Sequence, residues 1–137
     1  MTKKTHSNCP VYYALDFIGD KWSLIILRDI MLEEKKFFRD FIGSHEGIAT
    51  NILTNRLANL ESDGFINKIR DTADKKRFVY SPTKKGLDIL PVIIAMITWS
   101  SKYIAKGSPA SNFMAMVNDD PVKFEKDICA KFSNQTE

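Results

Sequence analysis

The sequence lacks most of what would tie it to an oxidising compartment, a membrane or a catalytic centre. It has two cysteines in 137 residues, Cys9 and Cys129. They stand far apart, so no disulfide scaffold is expected. The two histidines, His6 and His45, are not spaced with thiols or carboxylates as metal ligands are, so no metal site is expected. No Gly-rich phosphate loop and no Ser-His-Asp order occur. The nearby pairs Asp16 with Asp20 and Asp119 with Asp120 read as caps and surface groups, so neither an enzyme nor a cofactor is expected. Long hydrophobic runs are missing too. The start, MTKKTHSNCP, has no apolar core of a secretion signal. The most apolar stretch, Ile89 to Trp99, is too short to cross a bilayer and contains Pro91. A cytoplasmic protein with no membrane partner is the expectation. Repeats and low-complexity tracts are absent, and charge of one sign is scarce, with a net charge of +3.

What is present is a 44% hydrophobic composition, enough for a core. The length fits a single domain over residues 1–137, with 1–8 flexible. Charge is uneven rather than abundant. Between Gly64 and Gly86 stand Lys68, Arg70, Lys75, Lys76, Arg77, Lys84 and Lys85 against Asp71 and Asp74, a local surplus of five. Such a cluster is either a solvated face or a surface for a polyanion.

The stretch from Gly47 to Tyr80 carries the most information. Ile48, Leu53, Leu57 and Leu60, flanked by Ile52, recur at helical spacing and predict an amphipathic helix. Thr50, Asn51, Thr54, Asn55 and Ala58 fall on its other side, with Arg56 at the border. That face is short, polar and nearly uncharged, where an idle surface would carry Glu and Lys. Hydroxyls and amides suit base edges and phosphate oxygens. Asp63-Gly64 should end the helix. Two strand-like runs come next, with Phe65, Lys68 and Arg70 in the first and Arg77 and Val79 in the second, joined by a polar turn at 72–76. The expected fold class is mainly α with a small β-hairpin wing (α+β), a winged helix-turn-helix in which the wing lies over the DNA backbone. An ordinary surface helix followed by a hairpin is the plainer reading.

Upstream, Cys9-Pro10 marks a helix start with Cys9 as N-cap and Pro10 at the first position, running to Ile18. Val11, Ala14, Leu15 and Ile18 form a stripe, and Tyr12, Tyr13 and Phe17 widen it. Asp20 should cap a second helix, Lys21 to about Leu32, with Trp22, Ile25, Ile26 and Ile30 inward. A short helix, Phe37 to Ile42, should bury Phe38, Phe41 and Ile42. Downstream, Ser81-Pro82-Thr83 reads as the start of a long helix to about Lys106, kinked at Pro91. Its stripes are Leu87, Leu90, Ile94 and Ile97, and Ile89, Ile93 and Met96. A loop over 107–111 and a last helix, Pro121 to about Phe132 capped by Asp119 or Asp120, complete the chain. The first and the long helix are apolar on more than one side, which suits burial against a partner subunit.

In this order and spacing, several segments resemble the HxlR family of bacterial winged-helix transcriptional regulators over roughly Cys9 to Tyr103. They are Cys9-Pro10-Val11, the run Gly19 to Asp29, Phe38-Arg39-Asp40-Phe41, the Ile48 to Glu61 helix with Asp63-Gly64, Val79-Tyr80-Ser81, Thr83-Lys84-Lys85-Gly86, and Trp99. Residues 9–106 would form the family-like core and 107–137 a C-terminal helical extension. This chain has Ala49 where the family often has Ser, and Phe37-Phe38 where it often has Arg-Phe. The resemblance implies a homodimer, joined through N- and C-terminal helices, that regulates transcription from an inverted-repeat operator in double-stranded DNA. The DNA contacts would come from Thr50, Asn51, Thr54, Asn55, Arg56, Lys68, Arg70, Lys75, Lys76 and Arg77. The other functional class is a winged-helix protein-interaction module without DNA binding.

Cys9 is the candidate redox-sensing residue. A thiolate at an N-cap faces open N–H groups and the positive end of the helix dipole, both of which lower its pKa from about 8.5. Lys3, Lys4 and His6 lie near it in sequence. The plainer reading is a small buried residue at a helix start. The resemblance adds that several HxlR-like regulators sense oxidants or electrophiles through a cysteine here. Cys129 could pair with Cys9 of the other subunit.

Overall fold

A computed structural model describes residues 7–105 and 111–133. Lys3, Lys4 and His6, and most of the expected 107–111 loop, lie outside them. The described elements are α1 (Pro10–Ile18), α2 (Lys21–Met31), α3 (Phe38–Ile42), α4 (Thr50–Ser62), β1 (Ile66–Arg70), β2 (Phe78–Pro82), α5 (Lys84–Leu87), α6 (Leu90–Ser100), α7 (Ser111–Asp119) and α8 (Pro121–Ser133). The chain divides into two compact units, Met1–Gly86 and Leu87–Glu137.

In the first unit each helix is bounded by local chemistry. Pro10 opens α1 behind Cys9, which has extended backbone. Asp20 caps α2, its Oδ2 accepting from Ser23 N at 3.1 Å. Asp40 Oδ2 accepts from Phe37 N at 3.1 Å and so closes the first turn of α3. The end of α4 is a Schellman motif. Gly64 N donates to Glu61 O at 3.1 Å and Phe65 N to Leu60 O at 2.8 Å. Gly64 sits at φ 84°, where a side chain would be strained. Leu60 and Phe65, which that motif brings together, are both buried. The core of the unit is Ile26, Leu27, Ile30, Met31, Phe41, Leu53, Leu57, Leu60 and Ile66. Helices α2 and α4 pack on each other, and α3 packs on α4 and β2.

The hairpin is antiparallel, with Ile66 opposite Pro82, Lys68 opposite Tyr80 and Arg70 opposite Phe78. Strand alternation therefore puts Ile66, Lys68, Arg70, Phe78 and Tyr80 on one face. Ile66 and Tyr80 are buried at its base. Tyr80 N donates to Lys36 O at 2.8 Å, which ties the link before α3 to the inner strand.

In the second unit α6, α7 and α8 pack on one another. Their buried positions are Leu90, Ile93 and Ile94, then Met114 and Val117, then Phe124, Ile128 and Phe132. Each set has the three- or four-residue spacing of one helix face. Asp120 caps α8, its Oδ1 accepting from Lys123 N at 3.0 Å.

Several expectations are corrected. The long helix from Thr83 is two helices, because Pro91 can donate no hydrogen bond to the preceding turn and its ring crowds the carbonyl four residues back. It instead occupies the first turn of α6. That helix ends at Ser100, before Lys106. Ser81 and Pro82 belong to β2, although Thr83 does cap α5, its Oγ1 accepting from Gly86 N at 3.1 Å. Residues 111–119 are helical, where no element was expected between the 107–111 loop and the last helix. Ile42 and Met96 are exposed rather than buried, and Phe38 is half-buried. Ile48 lies just before α4, buried in the turn that leads into it.

Candidate nucleic-acid interface

The outer face of α4 is as polar as its sequence implies. Thr50, Asn51, Thr54, Asn55 and Ala58 are exposed, while Leu53, Leu57 and Leu60 are buried behind them. Thr54 Oγ1 donates to Thr50 O at 2.9 Å, which leaves the oxygen lone pairs facing outward. Arg56 sits at the border and is half-buried. Its Nε donates to Asp20 Oδ2 at 2.7 Å. Its Nη1 donates to Asn55 Oδ1 at 2.5 Å, and Asn59 Nδ2 reaches the same oxygen at 3.3 Å. Partial burial works against ionising Asp20. Hydrogen bonds from Ser23 and Arg56 outweigh it and hold the carboxyl below its ordinary range.

The wing keeps its cations extended by packing them on rings. Lys68 Nζ and the Arg70 guanidinium lie 4.5 Å and 4.6 Å from the Phe78 ring centroid. The Arg77 guanidinium lies 3.8 Å from the Phe37 ring centroid. Such contacts desolvate little of the charge and leave its sign intact. Arg77 Nε also donates to Asp71 Oδ2 at 2.7 Å, which depresses the Asp71 pKa and fixes the base of the turn. Asp74 Oδ1 accepts from Lys76 N at 3.0 Å and shapes the tip, where Lys75 and Lys76 are exposed. Between hairpin and α4 lies a cleft of about 260 Å³ bordered by Phe38, Thr54, Ala58, Glu61, Lys68 and Tyr80. Thr54 and Ala58 of the α4 face and Lys68 of the hairpin therefore border one groove within the first unit. Burial, with the nearby Glu61 charge, raises the Tyr80 pKa.

One cluster escaped the sequence reading. Asp29, on α2, is 1% exposed. Its Oδ1 accepts from Arg28 Nε at 3.0 Å, and its Oδ2 accepts from Ser44 Oγ at 2.5 Å. Lys35 Nζ donates to Ser44 Oγ at 2.9 Å and lies 3.5 Å from Asp29 Oδ2. Arg28 continues to Glu46 with two bonds of 2.8 Å and 2.9 Å. That pairing lowers the Glu46 pKa to about 2. The network pins the 43–47 turn, hence the start of α4, to the end of α2. A charged residue inside the helical stripe Ile26, Leu27, Ile30 was the available signal.

Cys9 is exposed, not buried. Backbone N–H groups of Tyr12 and then Val11 lower the Cys9 pKa. Around it α1 shows an open apolar surface, with Val11 67% exposed and Tyr13 and Leu15 more than half exposed. Among the described residues no group of three or more His, Cys, Asp or Glu could hold a metal ion, and no helix is long and apolar enough to cross a membrane.

The chain's relatives agree with this geometry. A family model described as HxlR-like helix-turn-helix matches residues 17–108. YdeP of Bacillus subtilis, described as an uncharacterized HTH-type transcriptional regulator, is 37% identical over 95 residues, 69% of this chain and 73% of YdeP. The similarly described sll1512 of Synechocystis is 32% identical over 100 residues, 73% of each chain. Among solved structures, the redox regulator HypR in its oxidized form superposes with a TM-score of 0.62 at 32% identity, covering 71% of this chain and 99% of HypR. The matched span contains the whole helix-turn-helix and wing; the chain belongs to the HxlR-like helix-turn-helix family of transcriptional regulators.

Proposed function

We propose that this chain is a cytoplasmic, homodimeric regulator that binds an inverted-repeat operator in double-stranded DNA. One observation carries the reading: α4 presents an exposed, uncharged polar face, and Thr54 of that face and Lys68 of the adjoining hairpin border the same groove. In this reading Thr50, Asn51, Thr54 and Asn55 meet the major groove, and Lys68, Arg70, Lys75 and Lys76 meet phosphates. Arg56 and Arg77 stand at the edge of this surface with their charge largely offset by Asp20 and Asp71. Two surfaces support a dimer. On α1, Val11, Tyr12, Tyr13 and Leu15 are open. On α6 and the turn after it, Val92, Met96, Trp99 and Tyr103 form an exposed stripe at spacings of four, three and four. A stripe of that pattern seeks another helix.

The exposed thiol of Cys9, with its lowered pKa, supports a response to oxidants or electrophiles, as does the likeness to a redox regulator. The test is binding of random-sequence duplex pools by the purified chain at several salt concentrations, with sedimentation at micromolar protein. Enrichment of a two-fold symmetric site, a steep loss of affinity with salt and a dimer are expected. A protein-interaction module, the reading the bare apolar stripe would otherwise favour, would enrich no sequence.

A further inference from the structure

We propose that Asp20 and Arg56 act as positioning residues that make Asn55 a one-way reader of bases, able to donate but not to accept. The inference rests on α4 being the base-reading helix. Asn55 Oδ1 receives two donors, Arg56 Nη1 at 2.5 Å and Asn59 Nδ2 at 3.3 Å. An amide oxygen has two lone pairs, so its accepting capacity is used up. The two donors also settle which end of the amide is oxygen, since a flipped amide would set N–H against N–H. Asn55 Nδ2 has no partner among the described residues and lies on the exposed face.

The arrangement is held from a distance. Arg56 would turn freely if only Asn55 bound it, but its Nε donates to Asp20 Oδ2 at 2.7 Å. Asp20 is itself fixed, because it caps α2 by accepting from Ser23 N at 3.1 Å and from Ser23 Oγ at 2.6 Å. The joint between α1 and α2 thus sets the polarity of the side chain next to Arg56, which lies 36 positions after Asp20. The consequence lies in what bases show in the major groove. Asn usually reads adenine with both ends of its amide, accepting from N6 and donating to N7. With Oδ1 occupied that pairing is closed, and cytosine, which offers only a donor, is closed as well. Guanine, through N7 and O6, and thymine, through O4, remain, while adenine keeps only a single bond to N7 with its N6 donor left unpaired.

The experiment has two arms. In the first, a site selected by the wild-type protein is scanned base by base with wild type, Asn55→Ala, Asp20→Asn and Arg56→Lys. Asn is as good an N-cap as Asp, so Asp20→Asn keeps α2 while weakening the hold on Arg56. The base whose identity ceases to matter in Asn55→Ala should be guanine or thymine. Wild type should disfavour adenine there by about tenfold. In Asp20→Asn and Arg56→Lys that preference should fall to within about threefold, with preferences at other positions kept. The second arm needs no DNA. Heteronuclear NMR should show a slowly exchanging Arg56 Nε–H that is lost in Asp20→Asn. An Asn55-dependent adenine, sensitive to removal of both N6 and N7, would overturn the inference, as would equal loss at every base in Asn55→Ala. A fast-exchanging Arg56 Nε–H in wild type would overturn it too, whatever the DNA arm shows. Failure of the wild type to select any site would instead sink the DNA-binding reading, and the NMR arm would still decide the latch.

Discussion

Asp29→Ala is the substitution whose cost the structure allows to be worked out. The carboxylate is 1% exposed and accepts from Arg28, from Ser44 and, at longer range, from Lys35. Truncating one member of a buried ion pair costs about 3–5 kcal/mol when the other charge is left stranded. That limit is not reached here. Arg28 keeps its two bonds to Glu46, and both Arg28 and Lys35 side chains remain about a quarter exposed. The unavoidable losses are the Ser44 hydroxyl, buried and left without an acceptor for its proton, at about 1–3 kcal/mol, and the charge-assisted pairing of Arg28 Nε and Nη2 with Asp29 Oδ1, at about 1.5–3 kcal/mol taken together before solvent discounts it. The sum points to about 2–4 kcal/mol, a large part of an ordinary domain's stability. Ser44→Ala removes the orphan as well as the bond, so the double variant should cost less than the two single costs combined, by about 1–2 kcal/mol. Urea unfolding followed by the fluorescence of Trp22, which lies in the same unit, measures both. Because the network ties the turn before α4 to α2, operator affinity should fall further than stability alone explains. A cost under about 1 kcal/mol for Asp29→Ala would refute the reasoning, since it would mean that water reaches the site and replaces these bonds.

Three further outcomes are expected. Neutralising Lys75 or Lys76 at the exposed tip should weaken binding to all sequences alike and lower the salt slope by about one, as titration of affinity against salt will show. The Cys9 thiol should alkylate with a pKa below that of an ordinary cysteine, and a mild oxidant should change operator affinity in wild type but not in Cys9→Ser; an equal change in both would move the signal elsewhere. Glu46 has a depressed folded pKa of about 2, so its contribution is complete above its unfolded value near 4.3 and is lost as pH falls toward 2. Asp20 acts with the same sign. With a third of the Glu46 side chain exposed, screening reduces the contribution to about 1 kcal/mol, and the acid unfolding curve of Glu46→Gln should be flatter by that amount.

Elements whose signals are local were legible in the sequence. Pro10 after Cys9, the capping Asp20, the Asp63-Gly64 stop and the Asp119-Asp120 pair before the last helix each act within one helical turn. The boundaries they predict are the boundaries found, to within a residue or two. The polar face of α4 was legible for the same reason, since a period of 3.6 leaves Thr50, Asn51, Thr54 and Asn55 no other side. Tertiary structure decided what depends on residues far apart. Periodicity alone cannot distinguish the short apolar run Phe113–Val117 from a strand, and only packing against α6 and α8 makes it a helix. Two apolar stripes on α6 looked equivalent, but burial follows the side turned to α7 and α8 and cuts across them, so Leu90 and Ile94 of one stripe and Ile93 of the other went in, while Met96, on the same stripe as Ile93, stayed out. Charge behaved likewise. Arg56 reads as one more cation for DNA until Asp20 is found against it, and Asp29 reads as a surface residue until Ser44 and Lys35 close over it. An ion pair needs two residues at about 3 Å, and their separation along the chain, 36 positions for Asp20 with Arg56, is set by how the helices pack and by no local pattern.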